Sequence, residues 1–124
     1  VDNYWDLLNK KCVGYMHIDS TGVRETELFE IKASEELLEL AKCNARAVLP
    51  DRELRAMSLK KIGDQSFMGI GIPSITQRMS FTKEYMDRAH GATLGWWNHT
   101  KEDSLDKCDP DIFADDTKDN IQEL

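Results

Sequence analysis

Two residues with metal-binding side chains follow segments whose patterns predict defined local structure. Asp19 comes directly after the almost continuous apolar run 12–18, which predicts a strand buried on both faces of a parallel sheet. His99 lies in the glycine-punctuated aromatic segment 90–100, which predicts a loop. Zinc and similar cations accept both carboxylate and imidazole ligands. Asp19 and His99 are therefore candidate metal ligands, and Asp19 lies at the edge where open α/β sheets place their sites.

Each candidate also has a purely structural interpretation. Asp19 could form an Asx turn with Ser20 and Gly22, and His99 could hydrogen-bond a backbone carbonyl. His17 lies two residues before Asp19, so the two side chains of an extended chain would face the same way and could converge. A histidine within an apolar strand is otherwise explained as a core residue.

The elements that would position these residues alternate between strand and helix. Segment 2–11 predicts a short helix, and 34–48 predicts a longer one that is N-capped by Ser34. A second strand is expected within 54–62, and another buried strand after the glycines of 69–71, with Pro73 near its start.

The C-terminal third of the chain predicts two further helical pieces. Segment 82–88 indicates a helical turn, and Asp109-Pro110 provides an N-cap and a first-turn proline for a terminal helix. This helix is expected to pack through four apolar residues, Ile112, Phe113, Ile121 and Leu124. The alternation predicts an α/β fold with a mostly parallel or mixed sheet flanked by helices.

Composition bounds the class of protein. The chain has 124 residues, enough for one domain, and a net charge of −7, which disfavours nucleic acid as a partner. Nine of its 23 acidic residues lie in 101–124, which is interpreted as a solvated outer face. No apolar run approaches the length of a membrane span. Three widely spaced cysteines argue against a disulfide framework and favour a reducing, cytoplasmic compartment.

Several common catalytic motifs are absent from the sequence. It contains no G-x-G-x-x-G, Walker loop, H-E-x-x-H or G-x-S-x-G. Gly69 and Gly71 lack a third glycine and precede a strand, whereas a phosphate-binding loop follows one. Nucleotide and phosphate chemistry is therefore not expected.

Three segments together resemble a known family. They are 13–20, which ends in His-Ile-Asp-Ser, the pair 63–67 and 71–73, and 95–107, which begins Gly-Trp-Trp-Asn-His-Thr and ends Leu-Asp-Lys. In order and spacing they resemble the second half of the catalytic domain of the dinuclear zinc aminopeptidases. That group includes glutamate carboxypeptidase and transferrin-receptor-like proteins. The resemblance covers most of the chain, and its last segment is the most specific.

The resemblance implies a role for each matching residue. Asp19 would bind one zinc ion and His99 the other. Residues beside the metals or along the substrate pocket would be His17, Asp64, Ser66, Phe67, Trp97 and Asp103. Asn98 stands where some relatives have a tyrosine that polarises the scissile carbonyl, and its amide could donate a similar hydrogen bond. Asparagine is common in relatives at the position of His17, which favours a supporting role for this histidine.

The resemblance also implies residues that this chain lacks. Relatives bridge the two metals with an aspartate of a His-x-Asp motif and use a Glu-Glu pair, both upstream, whereas only eighteen residues precede Asp19. Glu35-Glu36 is better explained as a pair of acidic residues that interact favourably with the positive N-terminal end of the helix that they begin. Residues 1–124 are therefore expected to be a single partial domain, the C-terminal part of a zinc-dependent exopeptidase. In the intact protein, water activated by two metals would hydrolyse a peptide substrate.

The isolated chain is expected to bind zinc weakly, to be inactive, and to self-associate through the edge that the missing N-terminal half would cover. One alternative is a non-catalytic transferrin-receptor-like module for binding or dimerisation. Another is a self-contained site for one metal, built from His17, Asp19 and His99.

Overall fold

The computed structural model describes residues 1–60 and 65–122. Helices alternate with the strands of one sheet, which confirms the predicted α/β class. The strands are β1 (Tyr15–His17), β2 (Leu28–Ala33), β3 (Glu53–Ser58) and β4 (Ser74–Ser80). The helices are α1 (Trp5–Lys11), α2 (Glu35–Val48), α3 (Gln65–Gly69), α4 (Lys83–Arg88) and α5 (Pro110–Gln122), with 3-10 turns at Asp2–Tyr4 and Leu105–Lys107. None of the helices in the described part of the chain has the length and apolarity needed to cross a bilayer.

The sheet is mixed and has the strand order β1-β4-β2-β3. β1 pairs with β4 in parallel, β4 with β2 in antiparallel, and β2 with β3 in parallel. The parallel pair β2 and β3 is joined by helix α2, as a parallel connection requires. β1 and β4 therefore run in the same direction, although β1 ends beside Thr76 and β4 continues to Ser80.

One face of the sheet forms the core with α2. Alternate residues of β2 and β4 point toward this helix, whose Ala41 and Ala45 are buried and allow it to approach closely. The buried core residues of this layer are Phe29, Ile31, Ala33, Ala41, Ala45, Leu49, Ile75 and Met79. Helix α5 packs beside α2 on the same face, against β4.

The first strand differs from its prediction. The apolar run 12–18 contributes only Tyr15–His17 to the sheet, and the strand is half-buried, not covered on both faces. Among the described residues β1 has a single neighbour, β4, so it lies at the edge. Only Met16 packs against the core, and Val13 is 90% exposed.

Strand β2, the most buried strand, has no counterpart among the sequence predictions. Glu30 and Lys32 interrupt its apolar pattern, and charges are rarely buried unless they are paired. Glu30 is paired here, because it contacts Lys32 at 2.6 Å and Arg55 of β3 at 2.6 Å. The predicted crossover helix α2 therefore follows β2, not β1.

The terminal helix packs through residues that only partly match the prediction. Phe113 is 54% exposed but packs against Gly22, whereas Ile121 is 64% exposed, so the prediction that it packs is wrong. Ile112 does pack against the core, and Leu124 lies outside the described residues. The buried side chains of α5 are polar, namely Asp116, Asp119 and Asn120. The acidic C-terminal run is therefore not wholly a solvated outer face.

The remaining element predictions agree closely with the structure. Helix α2 begins after Ser34, although the Ser34 hydroxyl accepts the N–H of Ser74 and does not cap the helix. β4 begins after Pro73, and Asp109 caps α5 by accepting the N–H groups of Asp111 and Ile112. The helical turn near 82–88 is α4, capped by the Thr82 hydroxyl. The second strand ends at Ser58, earlier than the predicted range 54–62, whose last two residues lie outside the described part of the chain.

Candidate functional site

Asp19 follows β1 by two residues, beyond the carboxyl end of this strand. His17 of β1 is in register with Thr76 of β4, and β4 continues to Ser80. The carboxylate of Asp19 is open to solvent, with 61% of its side chain exposed. It therefore lies at the carboxyl end of β1, as the sequence predicts, whereas β4 extends four residues further.

The segment that follows Asp19 is bonded to the segment that follows His99. Arg24 N–H donates to the Lys107 carbonyl at 2.9 Å, and Asp109 N–H donates to the Gly22 carbonyl at 2.9 Å. Between them, Val23 and Cys108 form an isolated antiparallel bridge. These bonds bring together two loops that are about eighty residues apart in the sequence.

A buried carboxylate of α5 fixes the same loop to the sheet. Asp116 Oδ2 accepts the N–H of Gly22 at 2.7 Å, and its Oδ1 accepts the N–H of Met79 in β4 at 2.5 Å. Burial raises the pKa of the Asp116 carboxyl above its ordinary value, and the two backbone hydrogen bonds oppose this rise. Gly22 has a φ of +70°, and a Cβ at this position would lie 2.8 Å from Cβ of Phe113. The turn at Gly22, three residues after Asp19, is thus fixed by contacts with Asp116, Asp109 and Phe113.

Buried aromatic rings support the loop that carries His99. Trp97 is 6% exposed and meets Phe81, the residue after β4, edge to face at 6.3 Å. Phe81 stacks on Tyr85 at 4.0 Å, and Lys107 Nζ lies 6.0 Å from the Trp97 ring centre. Because Phe81 follows the carboxyl end of β4, this packing holds the loop at the same end of the sheet as Asp19.

A left-handed backbone position occurs at His99 and at the residue that follows Asp19. His99 has a φ of +60°, and Ser20, directly after Asp19, has a φ of +54°. Such conformations are unfavourable for residues other than glycine, and they concentrate at functional sites. His99 is exposed, so neither burial nor a regular element imposes its conformation. The hydrogen bonds on either side of it, from Asn98 N–H to Gly95 and from Thr100 N–H to Trp97, form the turn.

His17 lies between Tyr15 and Asp19 on one side of β1. The Tyr15 hydroxyl and His17 Nδ1 are 2.9 Å apart, and His17 Nε2 lies 3.9 Å from Oδ2 of Asp19. The Tyr15 ring stacks on Phe67 at 4.4 Å and 11°. The predicted convergence of His17 and Asp19 is therefore observed, and Phe67 is close to them through Tyr15.

The other candidate residues are more dispersed. Asp103 is exposed, and its N–H donates to the Thr100 carbonyl; in the described part of the chain no hydrogen bond joins it to His99. Asn98 is half-buried, and Ser66 is exposed. Asp64 lies outside the described residues. Trp97 is buried, so the indole that reaches solvent beside His99 is that of Trp96, 60% exposed.

No three His, Cys, Asp or Glu side chains within 1–60 and 65–122 come close enough to hold a metal ion together. The self-contained site built from His17, Asp19 and His99 is therefore not formed in this structure. The donors themselves suit zinc, because Asp19 and His99 offer an exposed carboxylate and an exposed imidazole.

Comparison with protein-family models, with curated proteins and with solved structures finds no match to this chain. Sequence reasoning missed three residues of the site, Tyr15, Trp96 and Asp116. Of the three, only Tyr15 could have been predicted from the sequence, because Tyr15, His17 and Asp19 occupy alternate positions of an extended segment and so face the same way.

Proposed function

We propose that this chain is the C-terminal part of the catalytic domain of a zinc-dependent exopeptidase of the aminopeptidase type. In the intact protein Asp19 would bind one zinc ion and His99 the other. The observation that supports the proposal is that the segment following Asp19 is hydrogen-bonded to the segment following His99, Gly22 to Asp109 and Arg24 to Lys107.

The exposure of the two donors supports this assignment. A catalytic zinc ion takes about three protein ligands and leaves one position open. Asp19 and His99 supply one donor to each metal, so the remaining ligands and the general base would come from the part of the protein that precedes this chain. Zinc, when bound, would activate water for attack on the peptide carbonyl.

The residues around His99 would contact the peptide substrate. Asn98 precedes it and is half-buried, and its amide would donate a hydrogen bond to the scissile carbonyl oxygen. The Trp96 ring is exposed and held edge to face by Trp97 at 5.8 Å, which would offer a fixed apolar surface to a peptide side chain.

Zinc titration by calorimetry tests the ligand assignment in the isolated chain. We expect weak binding that is diminished by Asp19→Ala and by His99→Ala. His90→Ala is a matched control, because His90 is also exposed and also has a left-handed backbone conformation, with a φ of +52°. Tight binding of one zinc equivalent would contradict an incomplete site, and an equal loss with His90→Ala would contradict the assignment of His99.

The outer edge of β1 is the proposed contact with the rest of the domain. In the described residues β1 pairs only with β4, and the nearby segment 1–13 exposes Tyr4, Trp5, Leu7 and Val13. An unpaired strand edge beside apolar surface favours association. In the isolated chain a second copy would cover this edge. Light scattering at micromolar concentration should therefore show an oligomer, and a clean monomer would contradict this.

The same exposed surface favours a second candidate function, a non-catalytic module for binding or dimerisation of the transferrin-receptor kind. The two functions differ in the residues that precede the chain in the complete gene product. A His-x-Asp motif and a Glu-Glu pair there would support the peptidase, whereas their absence would support the module.

A further inference from the structure

The hydrogen bond between Tyr15 and His17 lies beside the proposed metal ligand Asp19. These three residues alternate along one side of an extended segment, with Tyr15 Oη 2.9 Å from His17 Nδ1 and His17 Nε2 3.9 Å from Asp19 Oδ2. The imidazole therefore has one ring nitrogen directed at a hydroxyl and the other directed toward a carboxylate.

Electrostatics selects between the two neutral tautomers of this ring. A neutral imidazole carries one N–H and one lone pair. If the Tyr15 hydroxyl donates to Nδ1, the ring proton resides on Nε2. The positive end of the Nε2–H bond then faces the carboxylate of Asp19. The opposite tautomer would place the Nε2 lone pair against that negative charge. A hydroxyl can donate or accept, so it accommodates the favourable arrangement without moving.

The position of Tyr15 is well fixed. Its ring stacks on Phe67 at 4.4 Å, and its backbone N–H donates to the carbonyl of Pro73 at 2.8 Å. The hydroxyl is therefore held by the strand and by a neighbouring ring, not by His17 alone. His17 has 23% of its side chain exposed, so it is shielded more than Asp19.

We propose that Tyr15 is a positioning residue: its hydroxyl donates to Nδ1 of His17, keeps the proton on Nε2 and directs that N–H toward Oδ2 of Asp19. Oδ1 of Asp19 then remains available for a metal. The second half of this statement rests on the proposed function, whereas the tautomer does not. In this state Nδ1 accepts from Tyr15 and Nε2, 3.9 Å from Asp19, carries the proton, so neither ring nitrogen offers a lone pair to a metal, and His17 supports the ligand Asp19 without being a ligand itself.

The tautomer can be measured directly by long-range ¹H–¹⁵N NMR of the histidine rings, in alkaline buffer where imidazoles are neutral. We expect the wild-type chain to show His17 with an unprotonated Nδ1. Tyr15→Phe removes the hydroxyl and should shift the ring toward a mixture of tautomers, whereas Tyr4→Phe on the exposed surface of the 3-10 turn should not. A protonated Nδ1 in the wild-type chain would overturn the proposal without any variant, and so would an unchanged ring in Tyr15→Phe.

Zinc titration of the same variants tests the positioning of Asp19. Loss of a residue that orients a ligand typically weakens metal binding about tenfold or more, so Tyr15→Phe should do this and Tyr4→Phe should not. If Asp19→Ala weakens binding but Tyr15→Phe leaves it unchanged, the positioning role fails and the ligand assignment stands. If Asp19→Ala itself has no effect, the proposed function fails, and the NMR result still decides the tautomer.

Discussion

The carboxylate of Asp116 accepts the backbone N–H of Gly22 at 2.7 Å, although 94 residues separate the two in sequence. Its other oxygen accepts the N–H of Met79. One buried side chain of the terminal helix thus joins the loop after Asp19 to strand β4. The position of a candidate ligand at one end of the chain therefore depends on a helix at the other end.

Asp116→Ala should destabilise the protein by about 3 kcal/mol, because it leaves two buried N–H groups without an acceptor at about 1–3 kcal/mol each. Asp111→Ala, an exposed position in the first turn of the same helix, should cost less than about 1 kcal/mol. Urea unfolding followed by circular dichroism measures both changes. Equal effects of the two substitutions would show that the Asp116 hydrogen bonds contribute little.

Gly95→Ala should be more harmful than Gly71→Ala. Both glycines are left-handed, with φ of +88° and +82°, and this conformation costs about 1 kcal/mol for alanine. A Cβ on Gly95 would meet the Trp97 ring at 2.5 Å, whereas one on Gly71 would meet nothing within 4 Å. We expect losses of about 3 and about 1 kcal/mol. Thermal unfolding measures the difference, which should vanish if Trp97 is not packed on the backbone of Gly95.

The stability contributed by Glu30 should depend on pH. Burial alone would raise the pKa of Glu30, but the hydrogen bond and charge of Lys32, together with Arg55, outweigh it and hold the pKa below its ordinary value of 4.5. A carboxyl whose pKa is lowered by folding stabilises the protein above its unfolded pKa and loses that contribution as the pH falls through the folded one.

The wild-type chain should therefore be more stable than Glu30→Gln by about 2 kcal/mol near neutrality. This advantage should persist down to about pH 5 and shrink below about pH 4.5. Unfolding in urea at a series of pH values gives the comparison. An advantage that stays constant down to pH 3, or grows there, would show that the charge of Glu30 is not its source.

Local signals in the sequence predicted most of the elements. Helix α2 has its stripe and its first-turn acids, α5 has Asp109 followed by Pro110, and β4 follows a proline. Strand β2 was missed because Glu30 and Lys32 resemble solvent-exposed residues until the ion pairs of Glu30 with Lys32 and with Arg55 across the sheet are known. The packing of helix α5 was only partly predicted because its buried acid, Asp116, bonds backbone groups that are remote in sequence.

The sequence predicted the local setting of each candidate ligand, but not the long-range pairings around it. The sequence places Asp19 after a strand and His99 in a loop, and the structure agrees with both. How the segments after these two residues meet depends on the parallel pairing of β1 with β4 and on the bonds between 22–24 and 107–109. Such long-range pairings leave no local pattern in the sequence, because each involves backbone groups that every residue carries.

The most direct test of the central claim is the hydrolysis of amino-acid p-nitroanilides and short peptides by the complete gene product in the presence of zinc. We expect release of terminal residues, with kcat/KM lowered more than about a hundredfold by Asp19→Ala and by His99→Ala and unchanged by His90→Ala. Absence of hydrolysis by the wild-type protein, or hydrolysis that survives the loss of both Asp19 and His99, would contradict the assignment of this chain to a zinc exopeptidase.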